Sequence, residues 1–142
     1  VMMKTFAVTM ALLMAGPSVA SSDTPDSSFV RLHALDLLDG ILTKDQTVTL
    51  QLLAHQTAIA NVCNGFTVDD GKFQKSFDTL AASNSDKMSD VQKDYFDKHL
   101  LVSFGILVGG EMAAIGKDPA GACKAAAEEK SNKDFANVMV WK

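Results

Sequence analysis

Cys63 and Cys123 are the two cysteines of this 142-residue chain, and a lone pair has two chemical uses: a disulfide, or part of a metal site. Neither has a second cysteine at Cys-x-x-Cys spacing. His33, His55 and His99 stand singly, with no His-x-x-x-His pair to share an ion. A metal site therefore has no ligand set, and the expectation is one Cys63–Cys123 bridge, with the three histidines structural. No Cys-x-x-Cys-His run is present for covalent haem. Serine, histidine and aspartate all occur, but without Gly-x-Ser-x-Gly or another nucleophile elbow. The paired carboxylates Asp69-Asp70 sit where a helix should begin, and capping and the helix dipole account for them. No catalytic, metal or cofactor-binding residue is assigned, and no cofactor is expected.

A second constellation is physical. Gly105, Gly109, Ala113 and Gly116 fall at steps of four, four and three, so on a helix they form a close-packing ridge that lets another backbone approach. The reading is internal packing against the second or fifth helix, with a homodimer seam or a ligand crevice as alternatives. In a bilayer this spacing marks helix pairs, but the apolar stretch around it is only about 11 residues and Glu111 lies nearby, against the roughly 20 residues that a span needs.

The compartment bears on the cysteines. Lys4, an apolar run from Phe6 to Ala15, and Ser18-Val19-Ala20 before Ser21 have the three parts of a signal peptide over 1–20. A run of about ten apolar residues is too short to anchor, so no stable membrane span is expected after cleavage. The location read from this is periplasmic or secreted, where thiols oxidise. Removing 20 of 142 residues leaves 122, enough for one core. Without Lys4, the 13 basic residues become 12 against 17 acidic ones, a net charge of −5. That balance, with no cationic cluster, excludes nucleic acid as a partner and leaves a protein or a small apolar ligand.

The elements that must position these residues follow from periodicity and caps. A Ser/Asp/Pro-rich lead-in over 21–27 precedes a single helical domain over 28–142. Leu32, Leu35, Leu38 and Ile41 or Leu42 recur at helical spacing, predicting a first helix over 28–40. Thr43-Lys44-Asp45-Gln46 has the form of a capping box. It opens a second helix whose stripe is Val48, Leu52, His55, Ile59 and Val62, ended by Asn64-Gly65. Phe73, Phe77, Leu80 and Ala81 mark a third helix. The longest, over 86–115, is apolar on nearly every side between His99 and Val108, which predicts a central helix covered by its neighbours. Asp118-Pro119 is an N-cap followed by proline at the first helical position, and starts a fifth helix with Cys123 in its second turn. Residues 134–141 are read as a final short helix or a loose tail. The fold class is all-α: a four- to five-helix bundle-like domain closed by one disulfide.

Around the cysteines, Cys63-Asn64-Gly65-Phe66-Thr67-Val68-Asp69 and Lys117-Asp118-Pro119-Ala120-Gly121-Ala122-Cys123 resemble a pattern of small uncharacterised exported proteobacterial proteins. That resemblance implies an exported helical domain with this bridge. Cys63, Phe66, Val68 and Asp69 are also similar to the first cysteine site of the HdeA family of acid-stress chaperones. The stretch between the cysteines is longer here and the glycine-bearing helix centre has no counterpart, so no chaperone activity is carried over. The functional expectation is a non-catalytic, exported binding or stress-related interaction protein acting through an apolar groove. The alternatives are an inhibitor or immunity protein against an exported enzyme, a small-ligand carrier, and a hydrolase with an unrecognised site.

Overall fold

The computed structural model describes residues 27–142, so the expected signal peptide and most of the lead-in lie outside the described residues. Five α-helices follow in order: α1 (Ser27–Asp36), α2 (Lys44–Val62), α3 (Asp70–Phe77), α4 (Asp90–Ile115) and α5 (Pro119–Ser131), with 3₁₀ turns at Asp78–Leu80, Ser85–Lys87 and Lys133–Phe135. The all-α class is as the sequence predicts. Consecutive helices alternate in direction: Arg31 of α1 meets Glu111 late in α4, and Phe77 of α3 meets Phe104. Helices α2 and α4 run the same way side by side, and α1 also lies along α4.

Local signals placed the caps. Thr43 accepts from the Gln46 N–H while Gln46 accepts from the Thr43 N–H, a complete capping box. Asp69 caps α3 through the Lys72 N–H, which holds its carboxyl below the ordinary value. Asp118 accepts from the Gly121 N–H at 3.0 Å, with Pro119 in the first turn of α5. The chain leaves α1 through Gly40 at φ +74° and leaves α2 through Gly65 at φ +88°, conformations that cost glycine nothing. Three boundaries move. Helix α1 stops at Asp36, short of residue 40; α3 stops at Phe77, leaving Leu80 in a 3₁₀ turn and Ala81 beyond it; and α4 starts at Asp90 because Ser89 and Gln92 form a second capping box.

The buried face of α2 also differs from the expected stripe. Leu50, Leu53, Ala54, Ala58 and Ile59 are buried, whereas Val48 is 53% exposed. Small Ala54 and Ala58 let neighbouring elements come close, and hydrophobicity alone does not register them. The core has two parts. Leu38, Leu50, Leu53, Leu80, Phe96, Leu100 and Leu107 fill one. Ala58, Ile59, Cys63, Ile115, Ala126 and Trp141 fill the other.

The ridge is corrected. Gly105, Gly109, Ala113 and Gly116 are all exposed, and a Cβ on Gly105 or Gly109 would meet no atom within 4 Å. They do not receive α2 or α5, because α4 turns Phe96, Leu100, Ser103, Leu107 and Gly110 inward instead. Nor is α4 covered on all sides. It is long and apolar enough, by length and composition, to cross a membrane, and it carries one open apolar face.

Candidate functional site

Cys63 at the end of α2 and Cys123 in α5 form the expected bridge, with Cα atoms 5.6 Å apart across a sequence separation of 60. It fastens α5 antiparallel to α2 and brings Glu129 towards His55. The bridge is compatible with an oxidising compartment.

That fastening completes a polar cluster that no local motif announces. Glu111 of α4 accepts from the Arg31 guanidinium at 2.7 Å through one carboxylate oxygen, and its other oxygen lies 3.1 Å from His55 Nδ1. His55 Nε2 faces Glu129 at 3.9 Å. The hydrogen bond to Glu111 raises the His55 pKa above 6.5 against the opposing effect of burial, and the two carboxylates add to the rise. The same hydrogen bond, with help from Arg31, lowers Glu111 below 4.5. Each charge thus stabilises its partner, and the cluster ties α1, α2, α4 and α5 together. Beside it is a cavity of about 280 Å³, open to solvent, with Arg31, Gln51 and Glu111 on its polar side and Leu32, Leu35 and Leu107 below.

A His–Glu pair is chemically able to serve as a general base held in orientation by a carboxylate. Here both ring nitrogens of His55 face carboxylates, so neither is turned to a hydroxyl or thiol that it could activate. Ser103 and Thr57 have buried hydroxyls with no hydrogen-bond partner, and neither belongs to the cluster. Among the described residues, no three His, Cys, Asp or Glu side chains come together to hold a metal ion.

The larger opening is apolar. A cleft of about 580 Å³ lies between the end of α1 and the start of α4, lined by Leu37, Ile41, Met88, Val91 and Phe96, with Tyr95 and His99 stacked 5.7 Å apart at its edge. It merges with the open face of α4, where Val91 is 79% exposed, Tyr95 69% and Val102 61%. Gly105 and Gly109 continue this face towards Met112. The ridge residues thus sit on a candidate binding surface, and the cleft beside it is completed by Leu37 and Ile41 of the segment that follows α1, which the sequence reading placed inside the first helix.

The opposite end of the domain is closed by the chain terminus. Trp141 is 1% exposed, its Nε1 donates to the Gln56 carbonyl at 2.9 Å, and its ring meets Phe66 edge-on at 4.7 Å. Buried Gln56 accepts from the Val140 N–H and donates to the Val138 carbonyl. The 134–141 segment is neither a regular α-helix nor loose: after one 3₁₀ turn it becomes an anchor, bridged to Val68. No protein-family model, curated protein or solved structure matches the chain.

Proposed function

We propose that this protein is an exported, non-catalytic interaction protein that holds an apolar segment of a protein partner against the open face of α4 and the cleft beside it. The observation that carries this reading is the exposure of Val91, Tyr95 and Val102 on one face of α4, with Val91 and Tyr95 also lining a cleft of about 580 Å³. Large apolar side chains grouped in this way are a standing cost in water unless something covers them. Export is supported by the signal-peptide pattern of residues 1–20 and by the Cys63–Cys123 bridge. A partner that exposes apolar segments under stress would fit the same surface. The hydrolase alternative is less favoured because both nitrogens of His55 face carboxylates and no hydroxyl or thiol, and the carrier alternative because the two apolar cavities described above are open to solvent.

Site-specific photo-crosslinking in cells that export the chain tests this. A benzophenone amino acid at Tyr95 should give protein adducts, and the same group at exposed Lys124 on α5 should give few. Equal labelling at the two positions, or none at Tyr95, would remove the α4 face as a docking surface.

A further inference from the structure

We propose that the Asn64–Gly65 turn is a site of spontaneous covalent modification. The Asn64 side-chain amide is lost through a cyclic imide, which leaves a mixture of aspartate and isoaspartate at that position.

The chain has asparagines at 61, 64, 84, 132 and 137, and of these Asn64 alone is followed by glycine. The turn that leaves α2 uses Gly65 at φ +88° and gives the Asn64 side chain no task. Both residues are exposed. Among the described residues, neither the Asn64 amide group nor the Gly65 N–H has a hydrogen-bond partner. A backbone N–H inside a helix must be freed by local opening before it can react, whereas the Gly65 N–H is free in the native turn. A Cβ built on Gly65 would meet nothing within 4 Å, so the turn is open on the side where the ring must form.

The other asparagines lack this combination. Asn61 lies within α2, donates to the Thr57 carbonyl and precedes Val62. The Asn132 side-chain oxygen accepts from the Asp134 N–H at 2.9 Å. Asn84 and Asn137 are exposed, but they precede Ser85 and Val138, whose side chains crowd the attacking nitrogen.

The chemistry needs only water. The Gly65 nitrogen gives up its proton and bonds to Asn64 Cγ; the Cγ–Nδ2 bond breaks, and the side-chain nitrogen leaves as ammonia. Water then opens the five-membered imide. Cleavage of the new N–Cγ bond gives aspartate, and cleavage of the original backbone C–N bond gives isoaspartate, whose main chain runs through Cβ and Cγ. The isoaspartate route adds one backbone carbon between two fixed points: Cys63, held by the bridge, and Phe66, whose ring meets Trp141 at 4.7 Å and lies 5.3 Å from the Lys130 ammonium. It therefore loosens the end of the domain that the chain terminus closes.

The exported protein, with its disulfide intact, is incubated in mildly alkaline buffer and followed by intact mass spectrometry, since each event exchanges an NH for an O. Peptide mapping should place the gain at Asn64, at least ~tenfold faster than at Asn84 or Asn137, a difference that takes ~1.4 kcal/mol in barrier. The rate should rise with pH, because the attacking nitrogen must first lose its proton. Asn64→Gln, an exposed change that forces a six-membered ring, should abolish the gain, and aged wild-type protein should unfold at lower urea than the aged variant. A gain that persists in Asn64→Gln, a rate at Asn64 no higher than at Asn84 and Asn137, or a gain that appears in urea-unfolded protein and not in the folded one would each overturn the proposal.

Discussion

Truncation of Trp141 to alanine should be among the most damaging single changes in the protein, although it lies one residue from the end of the chain. Trp141 is 1% exposed and packs in the same core region as Ile59, Cys63 and Ile115. A buried tryptophan hides ~200 Å². At ~25 cal/mol per Å² that is ~5 kcal/mol, an upper figure because denatured chains already bury part of it. The lost Nε1–H bond to the Gln56 carbonyl adds to the cavity left beside Phe66, so the expected cost is about 3–5 kcal/mol. Domains of this size hold about 5–15 kcal/mol in total, so the variant loses about a fifth of its stability or more. Urea titration followed by helical ellipticity is the assay, since the chain has a single tryptophan and the variant none. With a slope of ~1–3 kcal/mol/M, the midpoint should fall by more than 1 M. Phe135→Ala, at a position 43% exposed, should move it by under ~0.5 M. Equal shifts for the two variants would refute the idea that the terminus is a structural anchor.

Replacing Cys63 and Cys123 together by serine should lower stability by ~4 kcal/mol through the unfolded chain while the native helix content stays, because the bridge closes a separation of 60; coincident urea curves would count against this. The ion cluster should make stability depend on pH in two directions. Raised His55 contributes stability that is complete below its ordinary value near 6.5 and lost as pH rises through its folded value, whereas lowered Glu111 contributes stability present above 4.5 and lost as pH falls. The domain should thus be more stable near about pH 5.5 than near about pH 8, and Glu111→Gln should flatten that difference and return the His55 NMR titration towards its ordinary value; an unchanged titration would disprove the coupling. Ser103→Ala removes a fully buried hydroxyl that has no hydrogen-bond partner and should leave stability equal or higher by up to ~1 kcal/mol, read from the thermal midpoint; a loss above ~1 kcal/mol would mean that the hydroxyl is bonded in solution.

What could be read from the sequence was what is local. Thr43 with Gln46, Asp118 with Pro119 and the turn at Gly65 each act within four residues, and each is where the sequence places it. The bridge was legible for a different reason, since two cysteines allow one intramolecular pairing. The His55–Glu111 contact spans 56 residues and the Gln56–Val140 contact 84. Nothing near either residue specifies such a partner. Gln56 shows the difficulty well: a polar residue on the buried side of α2 contradicts any hydrophobic count, and only the returning terminus explains it.

The ridge on α4 failed for a reason that also points to its use. A helix apolar nearly all round does not declare which side faces in, and one residue is about 100° of rotation. The buried glycine is Gly110; its neighbour Gly109 is exposed. The spacing of Gly105, Gly109, Ala113 and Gly116 admits a close neighbour, because small residues leave space wherever they point. What the monomer decides is that the space lies outside it. Helices α1 and α2 take the side bearing Phe96, Leu100 and Leu107, so the space that the spacing leaves is not filled within the described residues. An apolar character beyond what internal packing consumes is therefore the feature of α4 that supports the proposed docking surface, and Gly105→Glu, which leaves the inner side untouched, separates that face from the core.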